Sequence, residues 1–402
     1  MRDAPAEGPG GGGPLGVSPP SILIVAGEAS GDLHAARLVA ALHRVAPRLR
    51  IAGMGGSAMR AAGVELVADA SQTAVVGLTE LWEKRRVLRE ALRRLQDVLR
   101  RVRPALLICV DFPDFNLLLA RTAHRLGVPV CYFISPQVWA WRRGRIRTIR
   151  RLVRKMLVLF PFEEALYRQH GVDVAFVGHP LLDALAAVPS REACRAAFGI
   201  EGDRPVLGLL PGSRQAELRR HLPLLLAAAE RLQARHSNLA VLLGVAPSLE
   251  SASVEAGLSF SRLRPTIVQD RTHEVIRAAD VLLAVSGTVT VEAAILGTPM
   301  VITYRLGYLS WLVARLLVRV KYIGLPNLVA EAAVVPELIQ FDARPERLAR
   351  AALEILESPE RQAWMRGRLA EIRARLGSPG AAERAAKEVL ALLPPAAVTG
   401  AV

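Results

Sequence analysis

From Ser21 onward, short apolar runs alternate with helical patterns, and this rhythm constrains the fold more than any other feature. "SILIVAG" precedes "DLHAARLVAALHRV", "RIAGMGG" precedes "SAMRAAG", and "ALLICVD" precedes "FNLLLARTAHRLG". "VPVCYFI", "KMLVLF" and "VAFVGHP" carry the rhythm to about Leu185. It lapses over 186–204 and restarts with "VLGLLPGSR", "LAVLLGVA", "PTIVQD", "VLLAVSG" and "PMVITYR". Strands that read as continuous apolar runs are buried on both faces, as in parallel sheets built from βα units. The expectation is an α/β chain with two Rossmann-like domains, 21–185 and 205–375, joined by the 186–204 linker and facing each other across a cleft. Residues 376–402 are expected to supply a last helix, crossing back to the first domain, and a tail.

The 402 residues leave room for two cores of ordinary size. No apolar stretch of eighteen residues runs free of charge, which argues against a membrane-spanning helix. The first twenty residues carry two acids and many Gly and Pro, and read as a disordered tail rather than a secretory signal. Cys109, Cys131 and Cys194 form no ligand or disulfide pattern; the first two sit in apolar runs, where cysteine behaves as a small hydrophobe. That usage suits a reducing cytoplasm. The formal charge of +15 admits a nucleic acid, a phosphate ester or an acidic lipid surface as partner, and does not choose among them.

Common nucleotide motifs are missing. There is no G-x-x-x-x-G-K-[ST] loop, and the first βα turn, "AGEASGD", puts Glu28 between Gly27 and Gly31, where a pyrophosphate would be repelled. No G-x-S-x-G elbow is present. Two later strand ends do suit an anion. In "LLPGSRQAE", Gly212 permits a tight turn, Ser213 offers a hydroxyl and Arg214 a permanent cation. In "AVSGTVTVEAAILG", Ser286 and Gly287 end a strand, and a helix starting near Thr288 presents amide N–H groups and a partial positive charge. Glu292, one turn in, is placed to accept from a ribose hydroxyl.

"DFPDFN", 111–116, ends another buried run. Phe112 precedes proline and is expected to be extended; Pro113 suits the first helical position. Asp111 reads as a turn or cap residue. Asp114, in the first helical turn, reads equally as a first-turn acid or a proton acceptor. In "SPQVWAWRRGR", Trp139 and Trp141 are two apart and cannot share a helix face, so one is expected to line the cleft. The basic, apolar stretches 75–95 and 308–327 fit either core helices or helices lying at a membrane surface.

Seven blocks, "VAGEASGD", "DFPDFN", "SPQVWAW", "FVGHP", "LLPGSRQAE", "SGTVTVEA" and "LPNLVA", occur in this order over residues 25–330. Together they resemble the lipid-A-disaccharide synthases, inverting glycosyltransferases of GT-B architecture. The resemblance implies UDP-2,3-diacylglucosamine as donor, 2,3-diacylglucosamine 1-phosphate as acceptor, and a β-1,6-linked disaccharide 1-phosphate plus UDP as products. It implies an acceptor domain at 21–185, a UDP domain at 205–375, and peripheral attachment to the inner face of the cytoplasmic membrane. It carries over essential roles to Asp114, Arg214 and Asn327. Phe112 departs from the block, where a small residue such as Ala is expected.

On this reading Asp114 accepts the acceptor hydroxyl's proton, while Arg214 and the Ser286–Thr288 helix start stabilise the departing pyrophosphate. Gly212, Ser213, Glu292 and Asn327 complete the UDP set. Glu28, Ser30, Gln137 and Trp139 position a sugar. No metal or other cofactor is expected; the expected partners are the two lipid substrates, anionic membrane lipid and a second copy of the chain, and nucleic acid is not among them. Two rival readings remain at this point: another UDP-sugar enzyme such as a UDP-N-acetylglucosamine epimerase, and a basic nucleic-acid-binding protein.

Overall fold

The computed structural model describes residues 21–70, 80–141, 144–259, 261–308, 311–312, 315 and 320–395. The tail 1–20, the Trp141 side chain, the first part of the 75–95 stretch and much of the 308–327 stretch therefore lie outside the described residues.

One sheet holds β1 (Ile22–Ala26), β2 (Ile51–Gly55), β3 (Glu65–Asp69), β4 (Leu106–Val110), β5 (Val130–Phe133), β6 (Lys155–Val158) and β7 (Val174–Phe176), in the order β3-β2-β1-β4-β5-β6-β7. The other holds β8 (Val206–Leu210), β9 (Ala240–Val245), β10 (Thr266–Gln269), β11 (Val281–Val285), β12 (Met300–Tyr304) and β13 (Glu337–Ile339), in the order β10-β9-β8-β11-β12-β13. Ile22 pairs with both Ile51 and Leu106, and Leu207 with both Val241 and Val281, all in parallel. The central strands β1, β4, β8 and β11 are buried along their whole length, as their unbroken apolar runs require. This is the α/β arrangement expected from the rhythm of the sequence.

The edge strands β3 and β13 went unread. "ELVAD" and "ELI" are only partly buried and too mixed in polarity to stand out. All three cysteines are free and buried. Among the described residues, no helix is long and apolar enough to cross a membrane.

The chain divides into two compact units. One comprises the described residues up to Cys131 together with those from Ala386 onward; the other is Tyr132–Ala385. Within the first, Asp32 is buried in the opening turn of the helix Ala29–Val45. Its carboxylate accepts from the amides of Gly56 (2.6 Å), Ala58 (3.0 Å) and Met59 (3.1 Å), capping the short helix Ser57–Ala61. A buried carboxylate is tolerable because such amides replace its water.

Each sheet changes direction once. In the first, successive connections run to one side from β1 and to the other from β4; in the second the pivot is β8 and β11. The C-terminal ends of such adjacent central strands leave a crevice between diverging loops, where ligands of open α/β sheets bind.

Candidate functional site

At the first pivot, the loops after β1 and β4 meet. Asp111 (φ 46°) and Phe112 (φ 49°, ψ 57°) are both left-handed, so the chain reverses sharply before the helix Pro113–Arg125. The extended Phe112 expected from its place before proline is thus corrected. The proline disfavours the right-handed region and favours an extended one, yet the turn is left-handed and is braced by the buried Asn116 side chain. Its amide donates to the carbonyls of Asp111 (2.7 Å) and Val110 (3.2 Å), pulling the turn onto the strand end. Phe112 occupies the N-cap position, not Asp111, and Pro113 begins the helix as expected.

Asp111 is mostly withdrawn from solvent. Burial pushes its carboxyl up to about 6, the neighbouring Glu28 carboxylate adds to the rise, and the Phe112 amide opposes it. Asp114 stands exposed in the first helical turn. Glu28 is the N-cap residue of the helix Ala29–Val45 and Ser30 lies in its first turn, both exposed.

At the second pivot lies a cavity of about 700 Å³. Its walls include Gly212, Ser213 and Arg214 after β8, and Ser286, Gly287, Thr288 and Glu292 after β11. The two turns singled out as anion sites therefore open into one space, at the pivot of a parallel sheet. Gln137 and Trp139 line the same cavity.

The first turn is shaped by a residue that sequence reasoning passed over. Glu217, one turn into the helix Gln215–Arg235, accepts from the amides of Ser213 (3.1 Å) and Arg214 (3.4 Å) and pairs with Arg214 Nη1 at 3.2 Å. Gly212 has φ +105°, and a Cβ there would come within 2.6 Å of Glu217 Oε2. Both reasons demand glycine. With those amides engaged, an anion meets the Ser213 hydroxyl and the Arg214 guanidinium, whose side chain is 78% exposed. The signal was available: Glu217 lies three residues after the N-cap Arg214, where a carboxylate reaches back to the helix start.

The second turn is open. Gly287 precedes the helix Thr288–Leu296, and a Cβ added to it would meet no atom within 4 Å. The opening amides of a helix have no partner within it, so they face a ligand approaching over Gly287. Glu292 points into the cavity, with His273 Nε2 3.3 Å from its Oε2. His273 also went unread.

Trp139 is held from behind. Its indole N–H donates to Glu163 Oε1 at 3.2 Å, and Phe162 packs edge-on at 5.3 Å. Glu163 is buried; burial pushes its carboxyl up to about 8, against the pull of the Phe160 amide and the Trp139 indole.

Asn327 requires a correction. It is 1% exposed and is not part of the cavity wall. Its Nδ2 donates to Val335 O (2.8 Å) and Glu337 Oε1 (2.7 Å), and its Oδ1 accepts from the amides of Val334 (2.8 Å) and Val335 (2.9 Å). A side-chain amide so engaged has little left for a nucleotide. Glu337 in turn accepts from the amides of Ile323 (2.8 Å) and Gly324 (3.0 Å), and Ile323 and Leu325 do line the cavity. Asn327 is thus linked to the wall through Glu337.

The "FVGHP" block contributes no residue to the cavity wall. Its surroundings anchor a distant segment: Val177 O accepts from Arg384 Nε (2.8 Å), and the His179 amide donates to Leu376 O (3.0 Å).

A sequence model of the lipid-A-disaccharide synthetase family matches residues 22–390. The chain belongs to this family. Among similar proteins, the lipid-A-disaccharide synthase of Syntrophus aciditrophicus is 47% identical over 92% of this chain and 97% of its own. That of Geobacter sulfurreducens is 46% identical with the same coverage. As a lipid-A-disaccharide synthase family member, the chain is a glycosyltransferase, and its solved structural neighbours share the GT-B fold. The Staphylococcus aureus MnaA–UDP structure superimposes with a TM-score of 0.64 at 13% identity, covering 93% of this chain and 98% of that one. Acinetobacter baumannii MurG gives 0.57 at 13% identity, covering 93% and 100%. Similarity at that level of identity speaks to the fold alone.

Proposed function

We propose that the protein joins UDP-2,3-diacylglucosamine to 2,3-diacylglucosamine 1-phosphate, forming the β-1,6-linked lipid A disaccharide 1-phosphate and releasing UDP. The observation that carries the reading is the shared cavity of the Gly212–Arg214 turn and the Gly287–Thr288 helix start, at the pivot of a parallel sheet.

In this reading UDP occupies that cavity. Arg214 and the helix start balance the negative charge that grows on the diphosphate as the anomeric C–O bond breaks. Glu292 accepts from the ribose, and Trp139, with Gln137 beside it, presents an aromatic surface to the sugar. Asp114 takes the proton of the acceptor's 6-hydroxyl as that oxygen attacks the anomeric carbon from the face opposite UDP, which inverts the configuration. A sugar hydroxyl is a far weaker acid than a carboxyl group, so the proton moves late, when the new bond is well advanced. Base assistance of this type is worth about 10²–10⁴ in rate.

Peripheral contact with the inner face of the membrane completes the proposal. Tyr308 (65% exposed), Leu312 (45%) and Ile323 (43%) display apolar surface in a stretch that also carries Arg315 and Lys321. Apolar and basic side chains together suit an anionic lipid surface.

The test is incubation of the purified protein with both acylated substrates and mass spectrometry of the products. The disaccharide 1-phosphate and UDP should accumulate together, and UDP-N-acetylglucosamine supplied alone should remain unchanged. Absence of the disaccharide, or epimerisation of the soluble sugar, would overturn the reading.

A further inference from the structure

The cavity contains one basic side chain to which the reaction so far gives no part. His273 lies in the first turn of the helix Thr272–Ala278, after β10, and its Nε2 stands 3.3 Å from Glu292 Oε2. Both residues line the cavity. The Glu292 side chain is 16% exposed and that of His273 is 42% exposed, so the carboxylate is the more enclosed partner.

We propose that His273 is a positioning residue for donor recognition, fixing the Glu292 carboxylate so that its other oxygen accepts from the ribose hydroxyls. The inference rests on the reading of Glu292 as the ribose acceptor. A glutamate reaches its ligand through three rotatable bonds, and an unrestrained carboxylate loses that freedom on binding. A donor already seated on Oε2 limits the rotation before the ligand arrives and leaves Oε1 to accept from it. This requires the hydrogen on Nε2, where the neighbouring carboxylate holds it. Charge points the same way. A bare carboxylate would oppose a diphosphate in the same cavity, and the imidazolium, favoured by its hydrogen bond to Glu292, cancels that charge locally.

The test compares calorimetric affinities for UDP and 2′,3′-dideoxy-UDP, which lacks both ribose hydroxyls. The unmodified protein should favour UDP by about tenfold or more, the scale of one charge-assisted hydrogen bond. His273→Ala should reduce the ratio to about threefold or less, while His273→Gln, whose amide can still donate, should restore most of it. With the full donor, His273→Ala should raise KM and leave kcat within about twofold, as for lost uniform binding. Should His273→Ala fail to fold, His273→Phe retains the ring's bulk without a donor and carries the same expectation. Glu292→Ala separates the two claims. If it leaves the UDP preference intact, the ribose reading of Glu292 falls; if it abolishes the preference while His273→Ala preserves it, the role of His273 falls alone.

Discussion

The ring of Phe112 occupies the space that a side chain at Gly27 would need: a Cβ built on residue 27 overlaps the phenyl carbons. The ring also stacks on Phe115, centroids 5.3 Å apart. This bulky residue is therefore accommodated by a glycine on the adjacent strand end. Gly27→Ala should destabilise the protein by roughly 1–3 kcal/mol through overpacking. Adding Phe112→Ala should recover part of that loss, so the double variant is less destabilised than the sum of the singles. Urea unfolding of the four proteins in the cycle measures the coupling. Strict additivity would show that the two sites do not compete for space.

Asp111 gives the fold a pH dependence. Its carboxyl is held up to about 6 in the folded protein, mainly by burial. The folded state therefore binds more protons than the unfolded chain between about pH 4 and 6, and stability falls as pH rises through that window. The size is on the order of 3 kcal/mol at most. Asp111→Asn should remove this dependence and raise the melting temperature at pH 7.5 relative to the unmodified protein, with little gain at pH 4. Equal melting temperatures for the two proteins across this range would contradict the burial argument.

The parallel sheets and the two turns that open into one cavity were legible because they depend on local signals: unbroken apolar runs, and glycine with serine at strand ends. The missed features depend on side chains meeting across sequence. Nothing in "THEVIR" announces that His273 reaches Glu292, nor in "PFEEAL" that Glu163 receives the Trp139 indole. The left-handed turn at Phe112 was unreadable for the same reason, since the proline rule alone points to an extended residue and the turn goes with the Asn116 side-chain bond to the Asp111 carbonyl.

Asn327 is buried away from the cavity wall. Its four hydrogen bonds tie the helix Leu325–Ala330 to Val334, Val335 and Glu337. Asn327→Ala should cost about 2–4 kcal/mol, because buried partners lose their bonds together. Its loss of activity should track the loss of folded protein and of the wall at Ile323–Leu325. An unaltered melting temperature with UDP affinity abolished would instead make Asn327 a direct ligand contact.

Arg214 tests the cavity itself. Its guanidinium is largely exposed and pairs with Glu217, so its removal should disturb the fold little. Arg214→Ala should weaken UDP binding by about tenfold or more, and lower turnover further, if the charge it is proposed to balance grows toward the transition state. UDP affinity unchanged within twofold would remove Arg214 from the nucleotide site.

The proposed division of labour between a nucleotide cavity and the proton acceptor Asp114 is tested most directly by Asp114→Asn, measured for UDP affinity by calorimetry and for disaccharide formation by mass spectrometry on the same preparation. Asp114 is exposed, so the substitution should leave the fold intact. The predicted result is UDP affinity within about threefold of the unmodified protein and disaccharide formation reduced by about 10²–10⁴. Turnover surviving within a few-fold would contradict the assignment and transfer the proton to another group.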